Sequence, residues 1–145
     1  MIVLLEYPAT LAPQEDGSIL VRFRDAPEAL TEVGDESAAE AEAADALIAA
    51  LGGYIELDRP IPAPSPPRKG ERMIALPALI AAKLALYVAL KEAGLSRVEL
   101  ARRMDVSENT VRRLLDLDHR SHIDGIEAAL TLLGRRLVID SRSAA

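Results

Sequence analysis

Apolar residues change their spacing several times along the chain, and each change marks an element. Ile2 to Tyr7 is a nearly continuous apolar run, the pattern of a buried strand. Residues 8–17 hold two prolines and close on Asp16-Gly17, a hairpin signal. Ile19, Val21 and Phe23 then alternate with Arg22 and Arg24, as in a strand with one wet face. Pro27 interrupts, and Ala29 to Val33 predicts a short third strand before a turn at Gly34-Asp35. Ser37 with Glu40 spells a capping box. Ala39, Ala43, Leu47 and Leu51 then space out one face of a helix ending at Gly52-Gly53. One helix on a three-stranded sheet covers a single face, which is modest for an independent fold.

Residues 58–70 carry five prolines and predict a semi-rigid linker or an extended segment laid on a surface. Met73 to Leu76 reads as another strand, added to the first sheet. Pro77 suits the first turn of a helix running to Ala93 and stopping at Gly94. Leu79, Ile80, Leu84, Leu86, Tyr87, Val88 and Leu90 cover most of its circumference. Such a helix must be buried on several sides, and subunit contact is expected to share in that burial. Ser121 and Asp124 open a last helix with Ile126, Leu130 and Leu133 inward, closing at Gly134; Leu137 to Ile139 predicts a C-terminal strand. The class is α+β: a small antiparallel sheet of three to four strands with one helix at 1–57, the proline-rich linker at 58–70, and a helical unit at 71–145.

Within that unit, residues 95–116 carry the clearest functional pattern. Ser96 and Glu99 form a capping box that starts a helix at Arg97, and Leu100, Ala101 and Met104 continue its apolar face. Asp105 sits where a tight turn needs a left-handed residue, a conformation Asp tolerates better than most. Ser107 caps a second helix whose inward positions are Val111 and Leu114 or Leu115. Its outward set is Glu108, Asn109, Thr110, Arg112 and Arg113. This is a helix-turn-helix whose second helix presents amide, hydroxyl and guanidinium groups, the chemistry that reads base edges and phosphates in the major groove. The candidate DNA-binding residues are Arg97, Ser107, Glu108, Asn109, Thr110, Arg112 and Arg113. Asn109 suits adenine, Arg112 or Arg113 suits guanine or phosphate, and Arg97 suits backbone phosphate. The competing reading is a plain helical hairpin with a solvated polar face.

Composition narrows the classes further. Half the residues are apolar but only 3% are aromatic, so the core must be Leu, Val, Ile and Ala. The absence of cysteine excludes disulfides and thiolate metal sites and fits a cytoplasmic setting. The N-terminal run lacks the basic flank of a signal peptide, and Pro77 and Lys83 interrupt the longest apolar stretch, so no membrane association is expected. The net charge of −6 conceals an asymmetry. Residues 1–68 hold four basic against thirteen acidic side chains, and residues 69–145 hold thirteen against ten. The basic half suits phosphate; the acidic half suits solvent or a basic partner.

In order, these parts resemble the HicB family of antitoxins from HicA/HicB toxin–antitoxin modules. The resemblance covers nearly the whole chain. It rests on YPA at Tyr7 to Ala9, EDGS before the second strand, VRFRDAPEALTEVGD, the alanine-rich helix and IPAPS at Ile61 to Ser65. It continues in ALPALIAAKLALYVALKEAGLS, LARRMDVSENTVRRLLD and IDGIEAALTLLGRRLVI. Arg24 stands where the family usually has Pro, and Asp105 where it has a turn Gly. The resemblance implies a degenerate ribonuclease-H-like N-terminal domain joined to a lambda-repressor/Cro-like domain. It also implies neutralisation of a small basic RNA-cleaving HicA toxin and repression of the module's own operon. Candidate toxin contacts near the sheet edge are Tyr7, Phe23, Asp25 and Glu28. Two-fold operators follow from a homodimer or higher oligomer, with an inverted repeat as partner DNA. The alternative function is a helix-turn-helix transcriptional regulator with a ligand- or partner-sensing N-terminal domain.

Catalysis is not expected. Two-metal chemistry needs three or four converging carboxylates. The first strand offers Glu6 alone, and Arg22 and Arg24 on the second would repel a cation. His119 and His122, the two histidines, have no cysteine partner and only scattered carboxylates nearby. No phosphate loop, nucleophile elbow, cofactor motif or metal motif occurs.

Overall fold

A computed structural model of the chain describes residues 5–143. Its elements are β1 (Glu6–Pro13), β2 (Ile19–Arg22), β3 (Thr31–Val33), α1 (Ala39–Glu56), β4 (Arg72–Ala75), α2 (Ala78–Ala93), α3 (Arg97–Met104), α4 (Glu108–Leu115) and α5 (Ile123–Leu132). The strands form one antiparallel sheet in the order β3-β2-β1-β4, with Tyr7 opposite Ile74, Leu11 opposite Val21 and Ile19 opposite Val33. Ala39, Ala43, Leu47 and Leu51 of α1 are fully buried, as are Tyr7, Ala9, Val21 and Val33 of the sheet. The α+β class is therefore realised, and Arg72–Ala75 joins the first sheet as an edge strand.

The first strand differs from its expectation. Residues 2–4 of the predicted Ile2–Tyr7 run lie outside the described residues, and β1 continues through Pro8 to Pro13. Two prolines argue against a strand, because each lacks an N–H for the ladder. Here residues 6–9 pair only with β4 and residues 10–13 only with β2. Each proline thus has a paired neighbour on one side alone, the edge-like setting that a strand tolerates.

Helix α1 departs at both ends. Asp35, not Ser37, supplies the cap: its carboxylate accepts from the Ser37 amide at 3.1 Å and the Ser37 hydroxyl at 2.9 Å, opening a single 3₁₀ turn at Glu36–Ala38. At the far end the helix runs through Gly52-Gly53 to Glu56. Glycine costs about 1 kcal/mol in a helix interior, and burial of Tyr54 and Ile55 beyond it outweighs that.

The proline-rich segment is laid on the sheet unit. The Tyr7 hydroxyl donates to the Pro62 carbonyl at 2.7 Å, and Asp25 accepts from the Ser65 amide and hydroxyl at 2.8 and 2.6 Å. Burial pushes the Tyr7 phenol far above its ordinary pKa. Arg24 donates to the Pro66 carbonyl at 2.6 Å and to Glu71 at 2.8 and 3.0 Å. The Arg24 hydrogen bonds, followed by the Arg68 amide, hold the Glu71 carboxyl below its ordinary 4.5. A depressed carboxylate contributes stability above its unfolded pKa and loses it as pH falls through the lower folded value. Urea midpoints of the native chain and Glu71→Gln should therefore differ at neutral pH and converge only as pH falls through the lowered folded pKa. Equal midpoints at neutral pH would remove the tether.

In the second unit, α2 is the central helix. Ile80, Ala82, Leu84, Leu86, Ala89 and Leu90 are buried, and α4 and α5 pack against the helix. Tyr87, also buried, donates to the Arg59 carbonyl at 2.7 Å. The apolar girth expected to reach into subunit contact is thus covered within the chain. Helix α5 also starts differently: residue 122 takes the cap position with no side-chain bond, and Ser121 turns inward. Gly125 lets α5 approach closely, since a Cβ there would meet Leu114 at 3.1 Å. Leu137–Ile139 is no strand in the single chain, for none of the four strands pairs with it. Leu137 packs on the core, while Val138 and Ile139 are 77% and 80% exposed.

Candidate nucleic-acid interface

Local backbone chemistry builds the helix-turn-helix. The Ser96 hydroxyl accepts from the Glu99 amide at 3.0 Å, and α3 begins at Arg97. Glu99 does not close the box. Its carboxylate takes Arg102 and then Arg103 one turn on, and those bonds hold its pKa below the ordinary value. Asp105 ends α3 at φ 56°, ψ 46°, the left-handed position its sequence context requires. Ser107 then accepts from the Thr110 amide at 3.1 Å and starts α4.

Helix α4 has two sharply different faces. Val111, Leu114 and Leu115 are all buried, against α2 and α3. Ser107, Glu108, Arg112 and Arg113 are exposed, with Asn109 and Thr110 half-buried. Several of these groups pair with one another: Arg112 donates to the Asn109 side-chain oxygen, and the Ser107 and Thr110 hydroxyls lie 2.9 Å apart. A base edge would replace these exposed bonds rather than break buried ones. Arg97 instead turns toward the end of α1, donating to the Ile55 carbonyl at 3.4 Å and lying 4.0 Å from Asp58. An open groove of about 1010 Å³ separates Asp45, Gly52 and Glu56 of α1 from Arg112 and Arg113. Three of the candidate arginines thus border one concavity, which Asp45, Glu56, Asp116 and Asp118 also line.

The candidate toxin contacts are placed otherwise. Tyr7 and Phe23 are 0% and 2% exposed and serve the core. Asp25 is occupied by Ser65 and lies 3.8 Å from Arg24. Glu28 accepts from the Tyr54 hydroxyl at 2.6 Å and lies 3.6 Å from Arg59, whose guanidinium stacks 4.4 Å over the Tyr54 ring. The Tyr54 hydrogen bond, ahead of Arg59, keeps the Glu28 carboxyl below its usual range. Among the described residues, no group of three or more His, Asp or Glu side chains is placed to hold a metal ion. His119 lies 3.1 Å from the Ser121 hydroxyl.

Sequence reasoning missed one residue. Lys83, which interrupts an apolar helix, is 0% exposed, and its ammonium donates to the carbonyls of Arg113, Asp116 and His119 at 2.8, 2.6 and 2.8 Å. The only signal was the charge itself, since a lone lysine on an apolar face needs acceptors from elsewhere.

Comparison with known proteins gives this architecture a family. Residues 6–85 match the model of a HicB-like antitoxin of bacterial toxin–antitoxin systems. Antitoxin HicB of Escherichia coli K12 is 38% identical over 134 residues, covering 92% of this chain and 96% of that protein. The chain belongs to the HicB family of antitoxins. Antitoxin HicB 1 of Photorhabdus laumondii is 36% identical over 93% of this chain and 86% of its own length. Antitoxin HicB of Pseudomonas fluorescens is 38% identical over 98% of this chain and 97% of its own. The family model ends within α2, but these HicB relatives extend through α4 and α5. As for any antitoxin, a toxin is the implied partner. No helix among the described residues is long and apolar enough to cross a membrane.

Proposed function

We propose that this antitoxin neutralises a small basic HicA-type RNase and represses its own operon by binding an inverted-repeat operator through α4. The carrying observation is that relatives named antitoxin HicB match 92% and 98% of the chain, so the sheet unit and helix-turn-helix belong to one protein. The protein acts in the cytoplasm by occupying surfaces, without catalysis. The acidic sheet unit is the toxin-binding half. With Tyr7 and Phe23 buried, its contacts fall to exposed carboxylates, Glu28 in the loop between β2 and β3 and Glu40 and Glu42 on α1. Long-range attraction would speed association, and shape would supply specificity, because exposed charge pairs add little individually. The division into a toxin-binding half, the 58–70 segment and a DNA-binding half remains part of this proposal. Since β4 pairs with β1, any fragment of the first half must run through Leu76.

Co-expression tests this reading. The full chain, produced with the product of the adjacent small reading frame, should relieve that product's growth arrest. Arrest that persists beside folded, full-length chain would overturn it.

A further inference from the structure

Lys83 is the charged side chain withdrawn from solvent among the described residues. Its ammonium has four acceptors: the Arg113, Asp116 and His119 carbonyls, and the Ser121 hydroxyl at 2.9 Å. Burial draws its pKa below the ordinary lysine value, and Asp116 opposes that shift. Yet the acceptors are arranged for a cation: an ammonium shares three N–H donors among these four oxygens, whereas a neutral amine has two and would turn a lone pair toward an oxygen. The surrounding segment is folded about the charge. The Ser121 hydroxyl also donates to the Arg113 carbonyl at 3.2 Å, and the Asp116 carboxylate accepts from the Asp118 amide at 2.9 Å.

Two of the acceptors stand at one place in the fold, the C-terminal end of α4. Arg113 lies in its last turn and Asp116 is its cap residue. Each of these carbonyls takes one backbone amide, Asp116 onto Arg113 and His119 onto Asp116, and a carbonyl has a second lone pair; at the negative end of the helix dipole a buried cation fills it. The apolar packing of α4 comes from Val111, Leu114 and Leu115 and is non-directional. An eight-residue helix held only by them could roll or slide; bonds from a fixed ammonium on α2 forbid both.

We propose that Lys83 is the positioning residue of the recognition helix: its ammonium fixes the pitch of α4 on α2, and thereby where Asn109 and Arg112 meet a base pair. This inference rests on the DNA-binding reading of α4, and its test separates the two. Because the chain has no cysteine, Lys83→Cys would carry the only thiol. Alkylation in denaturant with 2-bromoethylamine rebuilds a lysine-like ammonium at that position, and 1-iodopropane gives a neutral side chain of equal length. Refolded full-length proteins are compared with the native chain and Lys83→Met. The readouts are operator affinity, toxin inhibition and amide exchange of residues 113–121.

Lys83→Met and the propyl form should bind operator about tenfold more weakly, the scale of one lost base contact. Their 113–121 amides should exchange faster, with toxin inhibition unchanged. The aminoethyl form should recover both affinity and protection. Equal behaviour of the aminoethyl and propyl forms would overturn the proposal, as would parallel loss of operator and toxin binding with the melting temperature. Should the native chain itself bind no operator, the reading of α4 fails, while the anchoring of α4 by Lys83 is still decided by the exchange rates.

Discussion

Replacing Asn109 and Arg112 together by Ala is expected to abolish operator discrimination while leaving the fold and toxin inhibition intact. Each good base contact contributes about 1–3 kcal/mol of discrimination. Asn109 and Arg112 hydrogen-bond each other, so their losses will not simply add. The pair should still cost about a hundredfold in specific affinity. Binding to scrambled DNA, which depends on phosphate contacts, should fall much less than binding to the operator. Neither side chain is in the core, so the melting temperature should barely move. Competition gel shifts with operator and scrambled duplexes measure the ratio directly. An unchanged ratio would assign recognition to some other element.

The second large effect concerns assembly. Val138 and Ile139 are mostly exposed, yet the segment has the composition of a strand and pairs with no strand among the described residues. Pairing with the same segment of a second copy would bury both residues and supply the two-fold axis an inverted repeat requires. Burying one aliphatic side chain contributes about 1.5–3 kcal/mol. Val138→Asp with Ile139→Asp should therefore weaken dimerisation by about a hundredfold or more. It should leave the single chain as stable as before, because these side chains cover little in it. Sedimentation across a concentration series distinguishes the outcomes. A native chain that stays monomeric at micromolar concentration would remove the dimer, and a variant that dimerises normally would place its interface elsewhere.

Much of the helix-turn-helix was legible because its signals are local. Ser96, Asp105 and Ser107 act on backbone groups within a few residues, and no distant partner can override them. The alternation of Ile19, Val21 and Phe23 was equally plain. The misplacements were all decided at long range. Pro8 and Pro13 look like breakers until the split pairing of β1 is known, and Gly52-Gly53 looks like a stop until Tyr54 and Ile55 find the core. Ser121 reads as a helix cap, but Lys83, far back in sequence, claims its hydroxyl. Tyr7 and Phe23 were candidate toxin contacts although their spacing also suited the core, and the core is where burial places them. Lys83 itself was the least legible: its acceptors are mostly backbone carbonyls, which any residue carries.

The most direct measurement is a titration of RNA cleavage. A purified HicA-type toxin, incubated with a labelled transcript, is challenged with increasing amounts of the full-length chain. The account predicts that cleavage falls linearly and stops near molar equivalence, with the Asn109→Ala, Arg112→Ala double variant inhibiting as well as the native chain. Cleavage that continues unchanged in excess folded chain would contradict it.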